Sequence, residues 1–394
     1  MSDSVFIIWL ENVDSELLSV VPLLKHMAAE GVDIHLTPQP LTEKRTCYYQ
    51  ILTGMGAGKF GYFDAVKPVA YHVHLEDGIP DGILGHLLPD ILCIRGLAAA
   101  SVEAKNCDEL EAVAQQAQDC TIVRVSVEND VAAIESLVKR CTEHLAAGTH
   151  LLVLTDVWFE PAVKFVNMNN FLADIGLLEV STPRSRENIA WTETLAYYLG
   201  SGQIWVNLSG REPQGSISPG REYQQVCEAL QQELSTWQDP DTGEAIVRQV
   251  LKKEDAYTGE YLFKAPDLIV EYHPGYAASP QAIMLDFDTV AVYAAGSSKS
   301  GKARTPHARL IASGPNLVSG HSENASLVDV MPNVMYLLGQ PVPERVDGRV
   351  ISALFTPSHR QQHRQEHIAD DESLLTSEEE GHIEDRLRAL GYLG

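Results

Sequence analysis

His150-Leu-Leu-Val-Leu-Thr-Asp156-Val-Trp-Phe-Glu-Pro161 decides how this chain is read. A short unbroken apolar run that stops at an acidic residue and a turn reads as a parallel strand buried on both faces. In sheets of that kind, ligands sit just beyond the carboxyl ends of the strands. Asp156 therefore points at the crevice where chemistry is expected. A competing reading makes Asp156 the cap of a helix after Pro161, since aspartate is common at helix starts.

Working outward, Val5-Phe-Ile-Ile-Trp-Leu10 reads as a second such strand with Glu11 at its end. Leu17, Leu18, Val21, Leu24, Met27 and Ala28 give helical periodicity from Asp14 to Glu30, closed by Gly31. Residues 81–95 and 121–127 read as further strands, Val131 to Ala147 as a helix, and Thr289 to Ala295 as a last strand. Alternation of this kind predicts an α/β protein, a mainly parallel sheet with helices on both faces. Residues 180–275, richer in Gly, Pro and turn dipeptides, read as an accessory lobe inserted into one domain spanning 1–357. Residues 358–394 read as a polar, His-rich and acidic tail, with Ile383 to Leu393 as a short docking helix.

The 394 residues suffice for a large core without covalent staples. Twenty-nine basic against 54 acidic side chains give a formal charge of −25, which argues against nucleic acid and anionic membrane as partners. The six cysteines form no C-x-x-C pair and read as reduced thiols. With no basic leader and no run of about 18 apolar residues, the expected location is cytoplasmic.

Three motifs compete for attention. Gly56 to Gly61 fits G-x-G-x-x-G, but no strand precedes it, as a dinucleotide site requires. Gly296-Ser-Ser-Lys299-Ser-Gly301-Lys302 spells most of a phosphate-cradling loop, with Ala303 where the magnesium-binding hydroxyl belongs and Pro306 where the helix should run. His359, His363 and His367 share a helical face and offer metal ligands, although the charged surroundings favour a solvated helix.

A set of segments in consistent order carries a resemblance: Gly210-Arg-Glu-Pro213, Pro219-Gly220 with Tyr223, Asp239-Pro-Asp-Thr-Gly-Glu244, Tyr257-x-Gly259, Ala265-Pro-Asp-Leu-Ile269, Ala312-Ser-Gly-Pro315, Asp329-Val-Met-Pro332 and Asp347-Gly-Arg349. Together they resemble the alkaline phosphatase superfamily, in its type I phosphodiesterase/nucleotide pyrophosphatase branch, over nearly the whole chain. The resemblance implies a two-metal site, usually zinc, at the carboxyl edge of the sheet, with a Thr or Ser nucleophile attacking phosphorus. Two cations in that position stabilise both the attacking and the leaving oxygen.

Matched position by position, Glu11 takes the place of the first Asp ligand. Thr155-Asp156-Val157-Trp158 keeps the Asp of the family's Ser-Asp-His-Gly pattern but has valine for its histidine. The late His aligns on Arg304, with His307 three residues on, and the nucleophile's place falls on Lys44, with Thr42 and Thr46 two residues to either side. Three functions follow from the resemblance. One is a catalytically impaired or non-catalytic member whose Lys44, Arg304 and Lys302 bind a phosphate-type anion. The second is a phosphodiesterase with a reduced site, in which Glu11, Asp156 and His307 hold one divalent metal (Zn, Mn or Mg) and Thr46 or Thr42 supplies the hydroxyl. In the third, the fold serves as a scaffold for a protein partner and no metal is needed.

Overall fold

Two strands buried on both faces, Val5–Glu11 (β1) and His150–Thr155 (β5), lie side by side in parallel, Leu10 opposite Thr155. They form the middle of a sheet that also contains Val32–Thr37 (β2), Ala99–Ala104 (β3), Cys120–Ser126 (β4), Lys302–Ser313 (β6) and His321–Ser326 (β7), in the order β7-β2-β6-β5-β1-β4-β3. These seven strands all run the same way except β6, which is antiparallel to both β2 and β5, and an eighth, Trp158–Pro161, pairs with β6. The computed structural model describes residues 4–40, 44–76, 80–83, 86–295, 302–363 and 367–368, with backbone alone at 81, 158–161, 302–306 and 367–368. The tail's acidic run and docking helix, and the loop at 296–301, lie outside the described residues.

Helices cover both faces. Phe6, Ile8 and Leu10 of β1 join Val123, Val125, Leu151 and Val153 in a buried cluster with Leu24 and Met27 of Pro22–Glu30 (α1), Leu110 of Cys107–Gln115 (α3), and Ile134 and Leu137 of Val131–Thr142 (α4). Asp130 caps α4, its carboxylate accepting the main-chain N–H groups of Ala132 and Ala133. The opposite face of β1 presents Trp9, on which Tyr48 of Lys44–Thr53 (α2) stacks. Among the described residues no helix is long and apolar enough to cross a membrane.

The described residues divide into two compact units, those within 1–56, 82–158 and 306–374 in the first and those within 57–81 and 159–305 in the second. The first holds the large sheet. The second has a four-stranded antiparallel sheet of Ala196–Tyr198, Gln203–Val206, Leu268–Tyr272 and Val247–Lys252, backed by the helix Arg221–Ser235, whose Cys227, Leu230 and Leu234 are buried.

Several local expectations are corrected. Within 81–95 the described residues form the short turn Asp81–Ile83 and the helix Leu88–Ile94, with Pro89 in its first turn, and the neighbouring strand is β3. The periodic stretch after β1 breaks into the 3-10 turn Ser15–Ser19 and α1, because Pro22 restarts the helix. No strand was expected at 302–313, yet β6 is a central member of the sheet.

Candidate functional site

The carboxyl ends of β1 and β5 are stitched together. The Asp156 main-chain N–H donates to the Leu10 carbonyl at 3.2 Å, and its Oδ1 accepts the Asn12 N–H at 3.1 Å. Asn12 adopts φ = 62°, a left-handed conformation that asparagine tolerates better than most residues. Asp156 caps no helix, because the chain continues as the strand Trp158–Pro161.

Lys44 reaches this edge from the start of α2. Its Nζ donates to Asn12 Oδ1 at 2.5 Å and lies 3.0 Å from Asp156 Oδ2. Beside it, Arg45 donates from Nε to the Tyr49 hydroxyl at 3.1 Å, with its guanidinium 5.8 Å from that ring's centroid. On β4, Arg124 donates to Glu11 Oε1 at 3.2 Å and to Glu103 Oε2 at 3.4 Å, while lying over the Tyr48 ring at 5.1 Å. Tyr48 stacks on Trp9 with centroids 5.4 Å apart. The result is an open cleft of about 410 Å³ lined by Trp9, Glu11, Lys44, Arg45, Tyr48, Tyr49, Arg124 and Asp156. Three cations face two carboxylates there, with aromatic rings as walls.

Of the residues singled out from sequence, Glu11, Lys44 and Asp156 meet in this cleft. Thr46 is buried in α2 and does not line it. His307, on β6, is half-buried with its Nε2 enclosed and without a hydrogen-bond partner among the described residues, and it does not line the cleft either. Thr42 and the side chains of Lys302 and Arg304 lie outside the described residues. Arg45 joins Lys44 as its place in the sequence suggested, whereas Arg124, Tyr48, Trp9 and Asn12 were not anticipated. The one charged residue in the mostly buried strand Cys120–Ser126 was the available signal for Arg124, since charge there has to be matched by something at the sheet's end.

The donors do not fit the two-cation centre that the resemblance implies. Among the described residues no group of three or more His, Cys, Asp or Glu side chains is arranged to hold a metal, and the two cleft carboxylates already face Lys44 and Arg124. His359, expected on a solvated helix, is fully buried, its ring 4.6 Å from that of His363 and against Phe355 and Tyr336. In the second unit, Gly58 passes against the Thr258 carbonyl and Gly61, at φ = 77°, against the Tyr261 ring, so close packing and backbone conformation account for two glycines of the G-x-G-x-x-G run.

A mainly parallel sheet with one antiparallel strand, helices on both faces and a polar cleft at the carboxyl edge is an alkaline-phosphatase-like α/β architecture. Among solved structures the chain is similar to murine ectonucleotide pyrophosphatase/phosphodiesterase 5, with a TM-score of 0.52 and 11% identity over 90% of this chain and 100% of that one. An inactive single-substitution variant of the same mouse protein, in complex with AMP, matches with a TM-score of 0.50 and 12% identity over 92% and 99%. At this identity the likeness establishes the fold. No protein-family signature matches the chain, and no curated protein matches its sequence.

Proposed function

We propose that this protein is a catalytically impaired relative of the phosphodiesterases/nucleotide pyrophosphatases that binds a phosphate-type anion in the cleft at the carboxyl edge of the sheet. The observation that carries the reading is the convergence of Lys44, Arg45 and Arg124 on one cleft. All three cations stand beside aromatic walls, with Lys44 paired to Asp156 and Arg124 to Glu11 and Glu103. Guanidinium groups meet phosphate oxygens with paired hydrogen bonds, so Arg45 and Arg124 suit such a guest. The AMP bound by the mouse variant makes AMP a natural probe alongside phosphate and sulfate.

Glu11 and Asp156 on one cleft favour a second reading, a metal-dependent ester hydrolase. It requires a metal to displace Lys44 from Asp156. One experiment separates the two. The melting temperature is followed with millimolar phosphate, sulfate and AMP, since a ligand that prefers the folded state raises it. Turnover of an aryl phosphodiester is followed with Zn, Mn, Mg and Co. A rise with the anions and no turnover is expected. An unchanged melting temperature overturns the anion reading, and metal-dependent turnover establishes the hydrolase.

A further inference from the structure

The turns after two neighbouring strands close on the tip of one side chain. Asn12, in its left-handed conformation, donates its main-chain N–H to Asp156 Oδ1 at 3.1 Å and accepts the Lys44 ammonium on its own Oδ1 at 2.5 Å. Asp156 Oδ2 takes the same ammonium at 3.0 Å. The Lys44 side chain is 39% exposed and that of Asp156 11%, so the carboxylate is sheltered by the lysine laid across it. A cation in the first turn of a helix opposes the helix dipole, so the start of α2 is an unfavourable place for lysine unless an anion waits there. A carboxylate and an amide oxygen turned toward one point are the donors a hard divalent ion takes.

We infer that Lys44 is the resident cation of this edge, a covalently attached ammonium in the place a divalent ion would take at Asp156 and Asn12. It holds the ends of β1 and β5 to the start of α2 with no requirement for metal. An ammonium brings one charge and hydrogen bonds, where a divalent ion brings two charges and open coordination positions. The inference stands apart from the anion reading, because it concerns the carboxylate side of the cleft whether or not a guest enters.

The test uses the full chain with no anionic ligand added, and free Mn²⁺ is measured by its EPR signal alongside the melting temperature. Wild type is expected to leave millimolar Mn²⁺ free and its melting temperature unmoved. Lys44→Met, which keeps the stem and removes the charge, is expected to melt lower, to take up one Mn²⁺ per chain with affinity raised more than about tenfold, and to recover its melting temperature in Mn²⁺. The double variant Lys44→Met/Asp156→Asn is expected to lose that uptake. Mn²⁺ uptake by wild type that disappears in Asp156→Asn overturns the inference and needs no Lys44 variant to fold. A Lys44→Met protein indifferent to Mn²⁺ overturns it too. Because no anion is present, failure of anion binding is read separately in the preceding experiment.

Discussion

Two clusters of the same chemistry, one in each unit, have opposite designs. In the second unit Asp267 is wholly buried and receives five donors: Arg211 Nη1 and Nη2 at 3.0 and 2.7 Å, Lys253 Nζ at 3.2 Å, the Tyr223 hydroxyl at 3.0 Å and the Val206 N–H at 2.8 Å. In the first unit, Lys44, Asp156, Arg124 and Glu11 line an open cleft, with side chains 39%, 11%, 30% and 27% exposed. A buried charge is tolerated only when each neighbour is in place, so the Asp267 cluster can do little except hold its sheet together. Charges with water on one side keep unused hydrogen-bonding capacity, which a guest can take up.

The sharpest way to break the comparison is to remove one carboxylate from each cluster. Asp267→Ala strands Arg211 and Lys253 in the interior, and the expected loss is about 3–5 kcal/mol of unfolding free energy in urea titration. Asp156→Ala leaves Lys44 free to turn into water, and the expected loss is under about 1 kcal/mol. Equal losses would mean that the cleft is scaffold as well. Acid should discriminate next. Burial pushes the Asp267 carboxyl up, but the Arg211 and Lys253 charges and the hydrogen bonds to Arg211 and Val206 outweigh it and hold the group lowered to about 2. A depressed carboxyl contributes stability that is fully present above its unfolded value near 4 and is lost as pH falls through the folded value. The contribution is on the order of 2 kcal/mol, fading between about pH 4 and pH 2. Asp239 titrates in the same window. Burial raises it and the Lys164 hydrogen bond overrides that, also to about 2, so Asp267→Asn should flatten the acid limb of a melting curve only in part.

What was legible in the sequence follows the same division. Gly210-Arg-Glu-Pro213, Tyr223 and Ala265-Pro-Asp-Leu-Ile269 carried the resemblance, and they supply the buried cluster: Arg211 and Tyr223 both donate to Asp267. Likewise Asp329 accepts the Arg349 N–H, and Asp347 the Gly56 N–H, inside the first unit. Residue identity is rigidly specified where a buried polar group needs one exact partner, so such segments are readable in a sequence. β1 and β5 were legible because unbroken apolar runs bury both faces. β3 was not, since Ala99–Ala104 lies at the sheet's edge with half-exposed residues and no apolar run. Leu88–Ile94 read as strand because a seven-residue, mostly apolar stretch has too few turns to reveal its period. The cleft was half legible. Glu11, Lys44 and Asp156 mark element ends, whereas Arg124, Tyr48 and Trp9 meet only once β4, α2 and β1 are folded together.

Within the cleft the expected effects are smaller and fall on binding before stability. Arg45→Ala removes one of the three cations that line the cleft, so phosphate or AMP affinity measured by calorimetry should drop about tenfold, roughly 1.4 kcal/mol. Urea stability should hold within about 0.5 kcal/mol, since the side chain lies at the cleft and not in the core. Equal changes in both would place Arg45 with the scaffold.

Arg124 gives the finest distinction, because it belongs to both designs at once. Its guanidinium joins Glu11 and Glu103, from β1 and β3, and lies over Tyr48, so it ties strands together while lining the cleft. Arg124→Lys keeps the charge but loses the planar fork and its two-carboxylate bridge. If Arg124 acts as a tie, the lysine variant should lose about as much stability as Arg124→Ala, near 0.5–1 kcal/mol, the scale of an exposed ion pair with a cation–π contact. If it serves mainly to meet a guest, the lysine variant should stay near wild type in urea and lose anion affinity through the missing paired hydrogen bond. The ring's share is isolated by a double-mutant cycle of Arg124→Ala with Tyr48→Leu, for which a coupling of about 0.5 kcal/mol is expected. A coupling indistinguishable from zero would leave the two carboxylates as the whole of Arg124's structural role. The aromatic wall would then belong to the guest alone.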